Sequence, residues 1–131
     1  MTSIGIGAFY NCQFIEKITI PFVGESSTST TNVHLCYIFG GKYYYNNYIP
    51  ETLKEVVVTN AIEIGKYAFY AYSSIEKITI LGNVTKIDTN AFLNCLTLTD
   101  IYYSGTEEEW KQIYTNSTSL TKVNIHYNYS L

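Results

Sequence analysis

A repeating coil is what this sequence predicts, with short parallel strands on one face and turns or short helical and 3-10 segments on the other. Three observations predict it. The hexapeptide Ile-Glu-Lys-Ile-Thr-Ile occurs twice unchanged, at 15–20 and at 75–80. Around it a longer pattern recurs: Ile64-Gly65, Ala68-Phe69, Tyr72, Ile75, Ile78 and Ile80 return 23 residues later as Ile87-Asp88, Ala91-Phe92, Cys95, Leu98, Ile101 and Tyr103. The same frame, displaced by 60 residues, fits Ile4-Gly5, Ala8-Phe9, Cys12, Ile15, Ile18 and Ile20. Finally, each unit closes on an L-x-x-I-x-I segment that alternates apolar with polar and is rich in Ile, Val and Thr, the signature of a short strand. One unit cannot bury its own apolar edge, but stacked units share a continuous core.

In chain order, the strands are expected near 15–20, 53–58, 75–80, 98–103 and 120–125. They belong to units of about 4–20, 53–58, 62–80, 84–103 and 106–127 within a single domain, 1–131. In each Ile-Gly-x-x-Ala-Phe segment a tight turn leads to a helical or 3-10 turn, where the small Ala permits close packing and the Phe fills the interior. From Ile20 to Val58 there are 38 residues where one unit would take 23, so an insertion of roughly 15 residues falls within about 21–50. It opens on a Gly/Ser/Thr stretch, Gly24 to Asn32, expected as a flexible loop. Leu35, Ile38 and Phe39 then continue the core, Gly40-Gly41 turns the chain, and Tyr43-Tyr44-Tyr45-Asn46-Asn47-Tyr48 follows. Near the C-terminus, Thr106 and Glu109 have the spacing of a capping box for a helix over about 107–114. Trp110 lies 23 residues after Ile87 and should plug an interior slot, with the polar tail His126 to Leu131 closing the array. At the other end no polar cap precedes Ile4. That open end has two readings: a chain that continues beyond it, or an edge that pairs with another molecule.

Composition narrows the function classes. The 131 residues carry 8 Lys+Arg against 11 Asp+Glu, are 47% hydrophobic and only 15% charged, and include 14 Tyr. Such a chain can build a core, and its mild negative charge without a basic cluster argues against nucleic-acid binding. No apolar run approaches the ~18 residues of a membrane span, and Met1-Thr2-Ser3 opens no signal peptide. Cys12, Cys36 and Cys95 are odd in number and lack CxxC spacing, so they read as buried, unpaired thiols rather than a zinc site or disulfide framework.

The repeated residues resemble the BspA-type leucine-rich repeat, whose units read I-G-x-x-A-F-x-x-C followed by L-x-x-I-x-I. The resemblance covers 4–20 and 53–127, and the stretch Tyr102 to Trp110 looks like the last unit of such arrays. Departures fall at Asp88 in place of Gly, at Tyr72 in place of Cys, and at the insertion. What the resemblance implies is an α/β leucine-rich-repeat solenoid that binds partners on its strand face. The family resembled is known from surface proteins that attach to host molecules, so a surface or secreted location and a protein or glycan partner are implied with it.

Stacking the strands in register lines up columns about 4.8 Å apart. One column reads Lys17, Glu55, Lys77, Asp100, Lys122, alternating in sign at each step, and is expected to act as a self-neutralised ladder. A neutral column, Thr19, Val57, Thr79, Tyr102, Asn124, is one candidate binding surface. The tyrosines of the insertion, Tyr43, Tyr44, Tyr45 and Tyr48, are the other, because Tyr offers large contact area at low entropic cost. Catalytic chemistry is not indicated. His34 and His126 have no partner at a telling spacing, Gly40-Gly41-Lys42 is a turn rather than a phosphate loop, and Glu107-Glu108-Glu109 suits a helix's first turn. No cofactor or metal is expected. Three Asn-x-Ser/Thr sequons, at Asn83, Asn116 and Asn128, would matter only in a eukaryotic secretory setting. The sequence therefore favours a non-catalytic binding or adhesion module, with a structural spacer or self-associating segment as the rival.

Overall fold

A computed structural model of the chain describes residues 2–115 and 119–131. The sequon at Asn116 lies outside the described residues. Its backbone winds as a solenoid of parallel strands. β1 (Lys17–Ile20), β2 (Glu55–Val58), β4 (Lys77–Ile80), β6 (Asp100–Tyr103) and β7 (Asn124–His126) form one sheet in the order β1-β2-β4-β6-β7. On another wall, β3 (Glu63–Ile64) pairs with β5 (Lys86–Ile87). The strands are shorter than the six residues expected. Leu53, Ile75 and Leu98, which open the L-x-x-I-x-I segments, are buried at corners where the chain turns inward before the ladder begins.

Register explains the core. Ile18, Val56, Ile78, Ile101 and Ile125 face one another step by step, giving one continuous apolar column beneath the sheet. The Ala-Phe turns supply a second column. Phe69 and Phe92 stack with centroids 5.7 Å apart and planes at 1°, while Ala68 and Ala91 are wholly buried and let the turns approach. These turns are isolated i→i+3 turns, such as Ala68 N–H to Gly65 C=O at 3.2 Å. Among the described residues, a 3-10 helix forms only at Leu35–Phe39.

That 3-10 helix resolves the insertion into two pieces. Phe9 N–H donates to Ile38 C=O at 2.7 Å, as Phe69 N–H donates to Ala91 C=O at 2.9 Å. Ile38-Phe39 thus stands where Ala-Phe stands in the other units, and both residues are buried as expected. Eighteen residues separate Ile20 from Ile38, where eleven separate Ile80 from Ala91. Seventeen separate Phe39 from Val56, where nine separate Phe69 from Ile78. The extra length is therefore seven residues before the turn and eight after it, and the second unit is complete. The Gly24–Asn32 loop is closed at its base by Glu25 N–H to Asn32 C=O, 2.8 Å.

The last strand corrects the expected register. It begins at 124 rather than 120, so Asp100 faces Asn124 and Tyr102 faces His126. Lys122 drops out of the charge ladder, Asn124 leaves the neutral column for the ladder, and His126 takes its place. A slip of two residues preserves which face each side chain occupies, so apolar patterning alone could not distinguish the two registers. Two contacts fix the observed one: His126 Nε2 lies 2.8 Å from Asp100 Oδ1, and the imidazole stacks on Tyr102 at 4.5 Å and 11°. The His126 hydrogen bond is also the main reason the Asp100 carboxyl titrates below its ordinary range. The expectation that His126 lacks a partner is thereby overturned.

At the C-terminal end, α1 (Glu107–Ile113) starts with the expected capping box. Glu109 N–H donates to Thr106 Oγ1 and Thr106 N–H to Glu109 Oε1, both at 3.1 Å. Trp110 is 6% exposed and packs on Tyr103 and Tyr114 at 5.2 and 5.5 Å, plugging the interior. The tail then hydrogen-bonds back, Asn128 N–H to Gly105 C=O at 2.8 Å and Tyr129 N–H to Tyr103 C=O at 2.9 Å.

Three residues at the same repeat position have left-handed backbones: Asn11 (φ 66°), Ala71 (φ 52°) and Asn94 (φ 59°). Asn tolerates this region, whereas a left-handed backbone costs an ordinary L-residue about 1–2 kcal/mol. Ala71 is exposed, so Ala71→Asn should stabilise the fold by about 0.5–1 kcal/mol, read as a rise in denaturation midpoint at unchanged m-value.

Candidate functional site

The tyrosine loop is built on a buried foundation. After the 3-10 helix, Gly40 takes a left-handed backbone (φ 104°) and the chain doubles back over Cys36. A Cβ on Gly41 would lie 2.8 Å from Cys36 Sγ, so only glycine permits the approach. Cys36 Sγ then donates to Tyr43 C=O at 3.1 Å, and His34 Nδ1 sits 3.1 Å from the same sulfur. Imidazole and the Lys42 backbone are also hydrogen-bonded. From the next unit, Tyr72 accepts a hydrogen bond from Cys36 N–H at 3.0 Å through its hydroxyl. Thus Tyr72, standing where the repeat pattern has Cys, braces the loop base. Within the loop, Tyr43 N–H donates to Asn46 Oδ1 at 2.8 Å.

His34 and Cys36 thus form a pair that their sequence positions did not reveal. Its chemistry is that of a support. Burial pushes the Cys36 thiol up and the His34 imidazole down, so both are neutral near pH 7, and Cys36 has no exposed surface. A nucleophilic cysteine needs the opposite on both counts. Cys95 is likewise pushed up to about 12 by burial, and its Sγ lies against Phe69 C=O. All three cysteines are unpaired, Cys36 buried and the other two half-buried. At pH 8, native protein should leave Cys36 and Cys95 unmodified by a thiol reagent. Both should label in guanidinium, with peptide mass spectrometry reporting the sites.

Above this base the rings converge. Tyr43 and Tyr45 stack at 5.4 Å and 3°, and Tyr44 meets Tyr45 edge-on at 5.2 Å. Tyr44 also stacks on Tyr67 at 4.0 Å and 20° and meets Tyr70 at 5.1 Å. Five tyrosines from two units therefore make one aromatic surface. Lys42 and Lys66 lie over the rings of Tyr43 and Tyr67, at 5.8 and 5.1 Å, within reach of cation–π attraction. Partial desolvation, with Tyr67 and Tyr70 close by, raises the Tyr44 hydroxyl's pKa. Tyr67 is held at φ 59°, a conformation that strains a bulky residue and that Gly7 adopts at the matching position of the first unit. Tyr43 and Tyr45 remain 49% and 61% exposed.

Tyr48 stands apart. It is exposed and lines a cleft of about 510 Å³ between the first two units, with Phe9, Tyr10, Phe39, Ile49 and Pro50. The neutral column divides as well. Thr19 is exposed and Tyr102 half-buried between His126 and Tyr129, but Val57 and Thr79 are 1% and 2% exposed. The middle of that column offers a partner no surface, and Asn124 lies in the neighbouring column. Among the charged residues, Lys17 and Glu55 close to 3.2 Å and Lys54 and Glu76 to 4.0 Å, pairs of small energetic weight at such exposure.

Sequence reasoning missed Tyr67 and Tyr70. Both occupy variable positions of a repeat turn, and only the stacking of one unit on the next brings them to the loop. The signal was present in the register: Tyr67 and Tyr70 precede and follow Ala68-Phe69, and Ile38-Phe39 is the matching pair one unit earlier.

Among the described residues no group of three His, Cys, Asp or Glu could hold a metal ion, and no helix is long and apolar enough to cross a membrane. A family model described as BspA type leucine rich repeat region (6 copies) matches residues 39–130, more than half of the chain. Neither the curated proteins nor the solved structures contain a match. The first unit lies outside the matched span, yet β1 pairs with β2 in the same register as the later strands.

Proposed function

Since the chain belongs to the BspA-type leucine-rich repeat family, we propose that it is a non-catalytic protein-binding and adhesion module whose contact surface is the tyrosine cluster. Repeat proteins of this family are often involved in binding or adhesion and are generally non-catalytic. The observation that carries the reading is the five-ring surface of Tyr43, Tyr44, Tyr45, Tyr67 and Tyr70, exposed at its rim and braced underneath by Cys36, His34 and Tyr72. Rigid tyrosines lose little entropy on binding, and aromatic residues dominate contact energies at interfaces. The lysines over the rings add donors at the edge. The partner is a protein or glycan met at the cell surface or outside the cell, in keeping with the family's frequent occurrence there.

The test is a binding screen of the purified chain against extracellular matrix proteins and glycans, beside the double variant Tyr43→Ser/Tyr45→Ser. These two rings are half-exposed or more, so the variant should fold. The proposal expects a ligand whose affinity falls tenfold or more in the variant and is unchanged by Lys17→Ala. A ligand bound equally by the variant, or no ligand for a folded protein, overturns it.

A further inference from the structure

The charges around the tyrosine cluster narrow what it can hold. Contacts run in a row from Lys42 to Tyr43, Tyr45, Tyr44, Tyr67 and Lys66, so a cation stands at each end of a row of rings. Both lysines are exposed, and neither makes an ion pair among the described residues. Acids elsewhere in the chain are engaged with other groups. Glu55 and Glu76 pair with Lys17 and Lys54, and Asp100 pairs with His126. Glu63, three residues before Lys66 in sequence, stands on β3 opposite Lys86. In a chain of net charge −3, the rings thus carry two uncompensated positive charges. An ammonium over an aromatic face has three N–H donors and keeps its outer side for an anion.

The rings decide between ligand classes. Protein partners seat their strongest anchors in pockets, yet these five rings line none of the clefts at Tyr48, at Leu96, at the Gly24–Asn32 loop or at Gly82. They form a surface of rings, open at Tyr43 and Tyr45. A sugar suits such a surface. Its axial C–H bonds make one flat apolar face that packs on an aromatic ring, while the hydroxyls at its edge bond phenols and amides. Tyrosine supplies both parts in one side chain, and the exposed amide of Asn47 lies in the same loop. A carboxylate or sulfate on the sugar answers the lysines. Cations at the two ends of the row match anions spaced along a chain with ring faces between them, as in a polymer of acidic sugars. A single-stranded nucleic acid also stacks on aromatic rings. It carries a phosphate at every residue, however, and a net negative chain without arginine has no stripe of cations to match that density.

Resting on the reading of the tyrosine cluster as the contact surface, we propose that its partner is an acidic polysaccharide, with sugar rings packed on Tyr43 and Tyr45 and carboxylate or sulfate groups held by Lys42 and Lys66.

Biolayer interferometry with the immobilised chain and four polymers tests this: hyaluronan for carboxylates, keratan sulfate for sulfates, dextran for uncharged sugar and oligothymidine for phosphates. The expected result is binding of hyaluronan or keratan sulfate at least tenfold tighter than of dextran. That affinity should fall tenfold or more in Lys42→Gln/Lys66→Gln, whose exposed positions should let the variant fold, as circular dichroism would verify. Lys122→Gln, at an exposed lysine of the last unit, should change nothing, and Tyr43→Ser/Tyr45→Ser should lose the same ligand. A ligand lost in the tyrosine variant but kept by the lysine variant overturns the acidic-sugar assignment and leaves the contact surface standing. An acidic polymer bound equally by the tyrosine variant overturns both. Dextran bound as tightly as the charged polysaccharides, oligothymidine bound more tightly than either, or no polymer bound by the folded chain likewise overturns the assignment.

Discussion

Phe92→Ala should cost about 3–5 kcal/mol, the range for emptying a buried aromatic site. Phe92 is wholly buried, lies flat on Phe69 at 5.7 Å and meets Tyr114 edge-on at 5.5 Å. It therefore joins three successive layers: the third unit, its own, and the C-terminal cap. Truncation removes the ring's contacts on both sides, and neither neighbour can collapse inward without dragging a turn with it. In a solenoid each unit is held by its nearest neighbours, so a gap at a middle layer weakens both flanks. A domain of this size has only about 5–15 kcal/mol to lose. The expected outcome in urea is a midpoint lowered by a third or more, with chemical denaturation followed by far-UV circular dichroism as the check. Phe92→Leu, which keeps most of the volume, should lose less than half as much.

Trp110→Ala should be nearly as severe, about 3–5 kcal/mol, but for a different reason. The indole is the lid on the open end of the apolar column, packed between Tyr103 and Tyr114. Without it the capping box of Thr106 and Glu109 still nucleates the first turn of α1, but the helix has no other fully buried residue to dock. The loss should therefore appear first as local opening. Hydrogen exchange should rise at Tyr114 N–H and at the tail amides of Asn128 and Tyr129 before it rises at β4. Equal acceleration throughout the chain would show that the cap and the body unfold as one unit.

Much of this architecture was legible in the sequence because repetition multiplies weak signals. One L-x-x-I-x-I segment is an ambiguous strand; five copies in frame identify the strands, the inward residues and the Ala-Phe turns. The capping box and the Trp110 plug were legible for the same reason, since local geometry fixes both. Where the register depends on contacts between units, the reading stopped. A two-residue slip of the last strand changes no face, so Asn124 and His126 exchanged columns without disturbing the apolar pattern. Likewise the insertion's length was countable, but its division on either side of Ile38-Phe39 required the hydrogen bond from Phe9. Alternation alone also places Val57 and Thr79 on the outer face, yet both are almost wholly covered. Tyr67 and Tyr70 join Tyr44 only through stacking, and the His34–Cys36 contact forms only because the chain folds back at Gly41.

The division of the insertion has a consequence for how such a surface could change over time. The eight residues after Phe39 interrupt no strand, no interior column and no turn; they leave and rejoin a unit that is otherwise regular. Lengthening a flexible surface loop is cheap, since each doubling costs only about 0.6 kcal/mol of closure entropy. Insertion and scaffold can thus vary separately: the exposed segment is free to be rewritten, lengthened or exchanged, while the layers beneath keep count undisturbed.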